Sequence, residues 1–192
     1  MKQGLRAVAV VALLGLHPAI AGTTVWNAVS DFSTSSNPSG AWAYGHGSAG
    51  WTFLAFPDSS TFLSGPTDLW ERCPGCAPPS EASGGKGAIP YVGKNVGGTA
   101  YNWATVVVPT GVLWVHPGKT WDTLVQWTVP TAGSYSYSGE FELLDIHPTG
   151  IIGEVFGGEI GNATKLYSGT LLGPGANQST MTPGSRKPSS EL

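Results

Sequence analysis

Charge is what this chain has least of. Asp, Glu, Lys and Arg make up 11% of its 192 residues, against a usual share of about 25%. Nine Lys and Arg face twelve Asp and Glu, so no basic surplus exists to track a nucleic-acid backbone or an anionic membrane surface. Cysteine occurs only twice, and two thiolates alone cannot close a tetrahedral zinc site. Helical periodicity is missing, and nothing between the apolar segments is long enough for a crossover helix, which excludes a parallel α/β sheet. No apolar run approaches the ~20 residues that span a bilayer as a helix. Glycine (28), proline (15) and tryptophan (8) are plentiful instead. That composition suits many short strands joined by tight turns, on a surface made polar by hydroxyls rather than charges.

The first residues read as an export signal. Lys2 and Arg6 form a short positive segment, residues 7–16 are uncharged and apolar, and Ala19-Ile20-Ala21 offers small residues where a signal peptidase reads. The apolar run is about half of a membrane span, so a cleavable leader over residues 1–21 is expected, cut after Ala21. No cysteine stands directly after the cut, which argues against a lipid anchor. The organisation expected is a leader at 1–21, one β domain at 22–172 and a flexible tail at 173–192, without strand pattern. The mature chain is mildly acidic, because two of the nine basic residues leave with the leader.

Alternation with a period of two recurs along the mature chain. Tyr135, Tyr137, Gly139, Phe141 and Leu143 fall on one face of an extended segment, and Ser134, Ser136, Ser138, Glu140 and Glu142 on the other. Just before it, Val125, Trp127 and Val129 alternate with polar or outward positions. Pro130-Thr131-Ala132-Gly133 lies between the two runs, so a β-hairpin is predicted here, with Trp127 and Tyr135 facing the core. Further strands are predicted over 24–29, 40–44, 51–56, 100–108, 112–115, 151–156 and 165–172. Regular short strands of this kind point to an all-β, antiparallel sandwich or jelly roll. Residues 65–87 read as one long loop. They contain Cys73-Pro-Gly-Cys76, for which an exported chain favours a local disulfide over a redox motif.

Several patterns bear on chemistry. Flat indole rings offer an apolar face to the C–H face of a sugar, while neighbouring amides and hydroxyls read its OH groups. Trp42, Tyr44, Trp51, Trp70, Trp103 and Trp121 lie near predicted strand ends or loops and are the candidate ligand-binding rings. Gly45-His46-Gly47-Ser48-Ala49-Gly50 fits a dinucleotide fingerprint in letters only, because the helix that would meet the pyrophosphate has no counterpart. His46, His116 and His147 show no metal-ligand spacing. Glu140 and Glu142 share a strand face at a separation compatible with glycosidic acid–base work, yet three serines continue that face, so a solvated surface is the simpler reading. Asp31, Asp58 and Asp68 are oxygen donors for a structural calcium, without the spacing of a calcium loop. Neither a catalytic residue nor a bound metal is expected.

Four segments carry a resemblance. They are Val25-Trp-Asn-Ala-Val-Ser-Asp-Phe-Ser, Asn37-Pro-Ser-Gly-Ala-Trp-Ala-Tyr-Gly, Leu113-Trp-Val-His-Pro-Gly, and Val125-Gln-Trp-Thr-Val-Pro-Thr-Ala-Gly-Ser-Tyr-Ser-Tyr-Ser-Gly-Glu-Phe. Together, over residues 24–172, they resemble the secreted bacterial β-sandwich ectodomains found in PEP-CTERM surface proteins, similar to galactose-binding-like and carbohydrate-binding modules. The Pro-Glu-Pro sorting tail of that group is missing. Its further amphipathic strands after Gly184 are replaced by Ser-Arg-Lys-Pro-Ser-Ser-Glu-Leu, so the resemblance implies a sandwich short of its last strands. It also implies a non-catalytic binding module at the cell surface or in the extracellular matrix, with polysaccharide or surface glycan as partner and no cofactor. The alternatives are an adhesive or structural protein without a small ligand, and a glycan-active enzyme using Glu140 or Glu142.

Overall fold

A computed structural model describes residues 5–8, 24–47, 52–61, 65–71, 90–118, 121–131, 135–172 and 179–186, with 5–8 and 179–186 described by their backbone. The described residues contain no helix. Their strands are β1 (Leu5–Val8), β2 (Trp42–Gly47), β3 (Leu54–Ala55), β4 (Asp58–Thr61), β5 (Thr67–Glu71), β6 (Tyr91–Asn95) and β7 (Tyr101–Trp103). They continue as β8 (Val106–Val108), β9 (Leu113–His116), β10 (Asp122–Trp127), β11 (Tyr135–Phe141), β12 (Ile151–Gly157), β13 (Thr164–Leu171) and β14 (Ser179–Arg186). The all-β, antiparallel character expected from composition and alternation is what the chain adopts.

A six-stranded sheet runs in the order β13-β12-β1-β10-β2-β3, and a four-stranded sheet in the order β4-β5-β6-β9. Two two-stranded sheets, β11-β14 and β7-β8, complete the set. Neighbouring strands are antiparallel except β1, which runs parallel to both β10 and β12.

Alternation decides which side chains meet between the sheets. On β6, Val92 shares a row with Trp70 of β5 and Val115 of β9. Val92 and Trp70 join Leu113 and, from the six-stranded sheet, Trp42, Tyr44 and Val125 in one buried cluster with Ala28 and Phe56. The opposite face of β6 carries Tyr91, Gly93 and Asn95. There Leu69, Tyr91 and Trp114 pack with Val108 and the partly buried Tyr101, Trp103 and Val106 of the β7-β8 hairpin. Asn95 ties that hairpin down by donating from Nδ2 to the carbonyls of Thr99 and Val108, both at 2.9 Å. A third cluster of Phe141, Leu143, Val155 and Leu171 lies beneath β12 and β13.

Asn37 acts as a substitute for a strand residue beside β2. Its Nδ2 donates to the Tyr44 carbonyl at 2.6 Å and to the Phe56 carbonyl at 3.1 Å, and its Oδ1 accepts from the Tyr44 N–H at 2.9 Å. The pairing covers backbone groups that the two-residue β3 does not reach.

Four expectations change. The predicted hairpin of β10 and β11 does not form: β10 is bonded on both sides by β1 and β2, and β11 pairs with β14. The turn sequence there carries the chain from one sheet to another. Residues 24–29 hold no strand, since Asn27 Oδ1 accepts from the N–H groups of Val29 and Ser30 and bends the chain into a turn. The loop at 65–87 begins with a buried strand, β5, and Ser179–Arg186 is a strand where a fraying tail is expected. Elsewhere the predicted strands correspond to β2, β3, β7 with β8, β9, β12 and β13, shifted by a few residues.

Candidate functional site

Antiparallel pairing gives β2 and β10 two unlike ends. At one end Trp127 lies opposite Trp42; at the other, Asp122 lies opposite Gly47. Aromatic rings gather at the first end and ionisable groups at the second.

At the aromatic end, Trp26, Trp127 and Tyr135 form a triad. Ring centroids are 5.4 Å apart for Trp26 and Trp127, 5.9 Å for Trp26 and Tyr135, and 5.0 Å for Trp127 and Tyr135. These tilted and edge-on contacts are the favoured geometry for aromatic quadrupoles. All three rings are half-buried, each keeping part of its surface in solvent. Tyr135 Oη donates to the Thr131 carbonyl at 2.5 Å, which fixes its ring. Trp127 Nε1 is buried and has no hydrogen-bond partner among the described residues, so the triad retains an unused donor. Val25 and Val129, next to it in the chain, are 56% and 41% exposed. The end is therefore apolar at its rim as well.

At the polar end, one row crosses all four strands of the smaller sheet: Asp58 opposite Glu71, Glu71 opposite Tyr91, Tyr91 opposite His116. The Tyr91 ring stacks on His116 with centroids 4.8 Å apart and meets Trp114 edge-on at 5.0 Å. Thr123 Oγ1 donates to the His116 carbonyl at 2.5 Å and so joins this row to β10. His46 on β2 is buried against Trp121 and Phe56, at 5.0 and 5.6 Å between centroids. Glu71 is 2% exposed, and neither its Oε2 nor Asp58 Oδ2 has a hydrogen-bond partner among the described residues. Burial pushes the Glu71 carboxyl above its ordinary range; the nearby Asp58 charge adds to this and the Ser60 hydroxyl offsets part of it. Burial, with the Glu71 charge behind it, likewise pushes the Tyr91 phenol up. A carboxyl so shifted holds its proton more tightly than one in water. The carboxyl is secluded from solvent within this row.

The candidate rings from sequence separate into groups. Trp42, Tyr44 and Trp70 are core residues, 1%, 0% and 6% exposed. Packed in a cluster shared by both large sheets, they leave no face on which a sugar could stack. Trp103 and Trp121 are half-buried, the first against the hairpin cluster and the second against His46. Trp51, Cys73 and Cys76 lie outside the described residues, and the disulfide expectation with them. Trp26, the third ring of the triad, is absent from the candidate set because its segment reads as an ordinary strand. Its preceding exposed Val25 gives no contrary signal.

Carboxylates separate in the same way. Glu140 is half-buried on β11 and Glu142 exposed just past it, on the same side of the chain. Asp31 accepts from the Asn27 N–H at 2.9 Å and from Trp42 Nε1 at 3.1 Å, which holds the turn to the core. Asp68 pairs with Thr61 and Asp58 with Glu71, three rows apart. The three aspartates therefore do not converge on a calcium. Among the described residues no group of three or more His, Cys, Asp or Glu is placed to hold a metal ion.

Comparison with protein-family models, with curated proteins and with solved structures finds no match to this chain.

Proposed function

We propose that this chain is a secreted, non-catalytic binding module of the bacterial surface or extracellular matrix, that it takes polysaccharide, and that its two large sheets form a β-sandwich. The observation that carries the reading is the triad of Trp26, Trp127 and Tyr135: three adjacent, half-buried rings that each keep part of their surface in solvent. Such rings lay an apolar face against a pyranose. The sandwich is supported by the buried cluster that both large sheets share. Secretion is supported by the charge, apolar and small-residue order of residues 1–21. The mild acidity and scarcity of charge favour a neutral glycan over a polyanion. No cofactor enters this binding.

A glycan array on the exported protein, followed by tryptophan fluorescence titration, tests the reading. Sugar binding by the wild type and its loss in Trp26→Ala and Trp127→Ala, with Trp103→Ala still binding, is the expected pattern. A wild type that binds no glycan, or one whose binding survives both triad substitutions, sends the triad back to a packing role and favours the adhesive alternative.

A further inference from the structure

We propose that the folded full chain locks up its own leader: Leu5–Val8 is a central strand of the larger sheet, so folding before export and processing of the leader exclude each other. The proposal rests on reading residues 1–21 as a cleavable leader and is independent of the sugar reading.

Residues 5–8 carry part of what marks the leader. Arg6 is one of its two positive charges, and Ala7 opens the apolar run of 7–16. The structure gives the same four residues a second task. β1 is bonded to β10 on one side and to β12 on the other, with β2 beyond β10 and β13 beyond β12. Leu5, Arg6 and Ala7 stand opposite Ile151, Ile152 and Gly153, and Ala7 and Val8 stand opposite Thr123 and Leu124. Among the described residues, β1 is the one strand that bonds the β12-β13 pair to β10, β2 and β3.

The place in the sheet suits the residue that takes it. Thr123 and Gly153, on either side of Ala7, are both buried. The Phe141 ring comes within 2.8 Å of where a Gly153 Cβ would stand. A close-packed row of this kind admits small residues, and the chain has Ala at that level.

The two tasks are incompatible at the backbone. A leader that enters lipid must satisfy its N–H and C=O groups within itself, which a lone segment does as a helix. In β1 the same groups are extended and bonded to two neighbours. The segment cannot hold both conformations, and it leaves the sheet only by breaking bonds along both of its edges. A chain that folds first therefore withholds its leader, and a chain kept unfolded presents it. Export then works on the unfolded chain, and the fold is a latch set by the order of events.

The test presents the full chain to a purified signal peptidase in detergent, either folded or diluted at once from urea, and reads the product by intact mass. The urea-released chain is cut after Ala21, and the folded chain at least about a hundredfold more slowly, because cleavage follows the small population in which β1 has come away. Ala7→Pro, which puts proline into a central strand, restores cutting of the folded chain while the β2 and β10 amides stay protected from hydrogen exchange. A folded wild type cut as fast as the unfolded one overturns the proposal alone. A folded Ala7→Pro chain as resistant as wild type also overturns it, since something other than β1 then hides the leader. An unfolded chain that is not cut after Ala21 ends the leader reading and the proposal with it. Should Ala7→Pro prevent folding, hydrogen exchange on the folded wild type decides: Arg6, Ala7 and Val8 amides as protected as those of β10 and β12 support the latch, and unprotected ones overturn it.

Discussion

Replacing Glu71 by Gln makes the protein more stable at neutral pH, the opposite of what removing a buried acid usually does. Glu71 is 2% exposed, lies directly opposite Asp58, and has an oxygen without a hydrogen-bond partner among the described residues. Its folded-state affinity for a proton is raised above the ordinary value of 4.5, chiefly by burial. A carboxyl shifted upward binds its proton more tightly folded than unfolded. The stabilisation is fully present below the ordinary value and is lost as pH rises through the raised one. Above that point the fold holds either two facing carboxylates or a penalty for keeping one proton. Gln has the same shape, needs no proton, and presents an N–H2 to Asp58. An unsatisfied buried polar group costs about 1–3 kcal/mol, and a gain in that range raises Tm by about 2–12 °C in a chain of this size. Thermal melts of both proteins between about pH 4.5 and 8 give the answer. The two curves converge at the acid end and separate as pH rises, with Glu71→Gln above. A variant less stable than wild type at the alkaline end, or a difference that does not change with pH, refutes the reasoning.

Three further outcomes are expected. Asn37→Ala removes three hydrogen bonds to the backbone of Tyr44 and Phe56 and lowers unfolding free energy by about 3 kcal/mol at roughly 1 kcal/mol each, read from urea melts. Ala104→Gly relieves the left-handed backbone (φ 50°) at the first position of the two-residue β7-β8 turn and stabilises by about 1 kcal/mol in the same assay. Tyr44→Phe deletes a fully buried hydroxyl that has no partner among the described residues. The change is neutral or stabilising by up to about 1 kcal/mol, whereas loss of the whole ring in Tyr44→Ala costs about 3–5 kcal/mol.

Alternation exposed the strands one at a time, and the apolar face of β11 lies where its pattern put it: Gly139, Phe141 and Leu143 are buried while Ser136 and Glu142 are exposed. Partners were another matter. A turn sequence such as Pro130-Thr131-Ala132-Gly133 reports only that the chain changes direction. Whether β11 returns beside β10 depends on which edges of β10 are already taken. The polar row shows the same limit at a longer range. Asp58, Glu71, Tyr91 and His116 sit on four separate strands, so no local spacing announces them. Glu71 itself lies in a stretch whose glycines and prolines downstream disguise a short buried strand. Tryptophan is ambiguous for a different reason. Trp42 and Trp127 are opposite each other on paired strands, yet one is sealed in the core and the other is partly wet, because burial is fixed by what the neighbouring sheet lays across them.

The amide of Asn37 has a consequence for how molecules of this protein meet. Asn37 takes the N–H and C=O of Tyr44, the Phe56 N–H shares that C=O and Ser39 bridges Trp42, so the side of β2 that β3 leaves uncovered is filled where an incoming strand from another molecule would otherwise find a template. Among these partners Asn37 is the one that acts through its side chain. Substituting it uncovers the Tyr44 N–H between Ser39 and β3, and self-association through that rung is the failure to watch for.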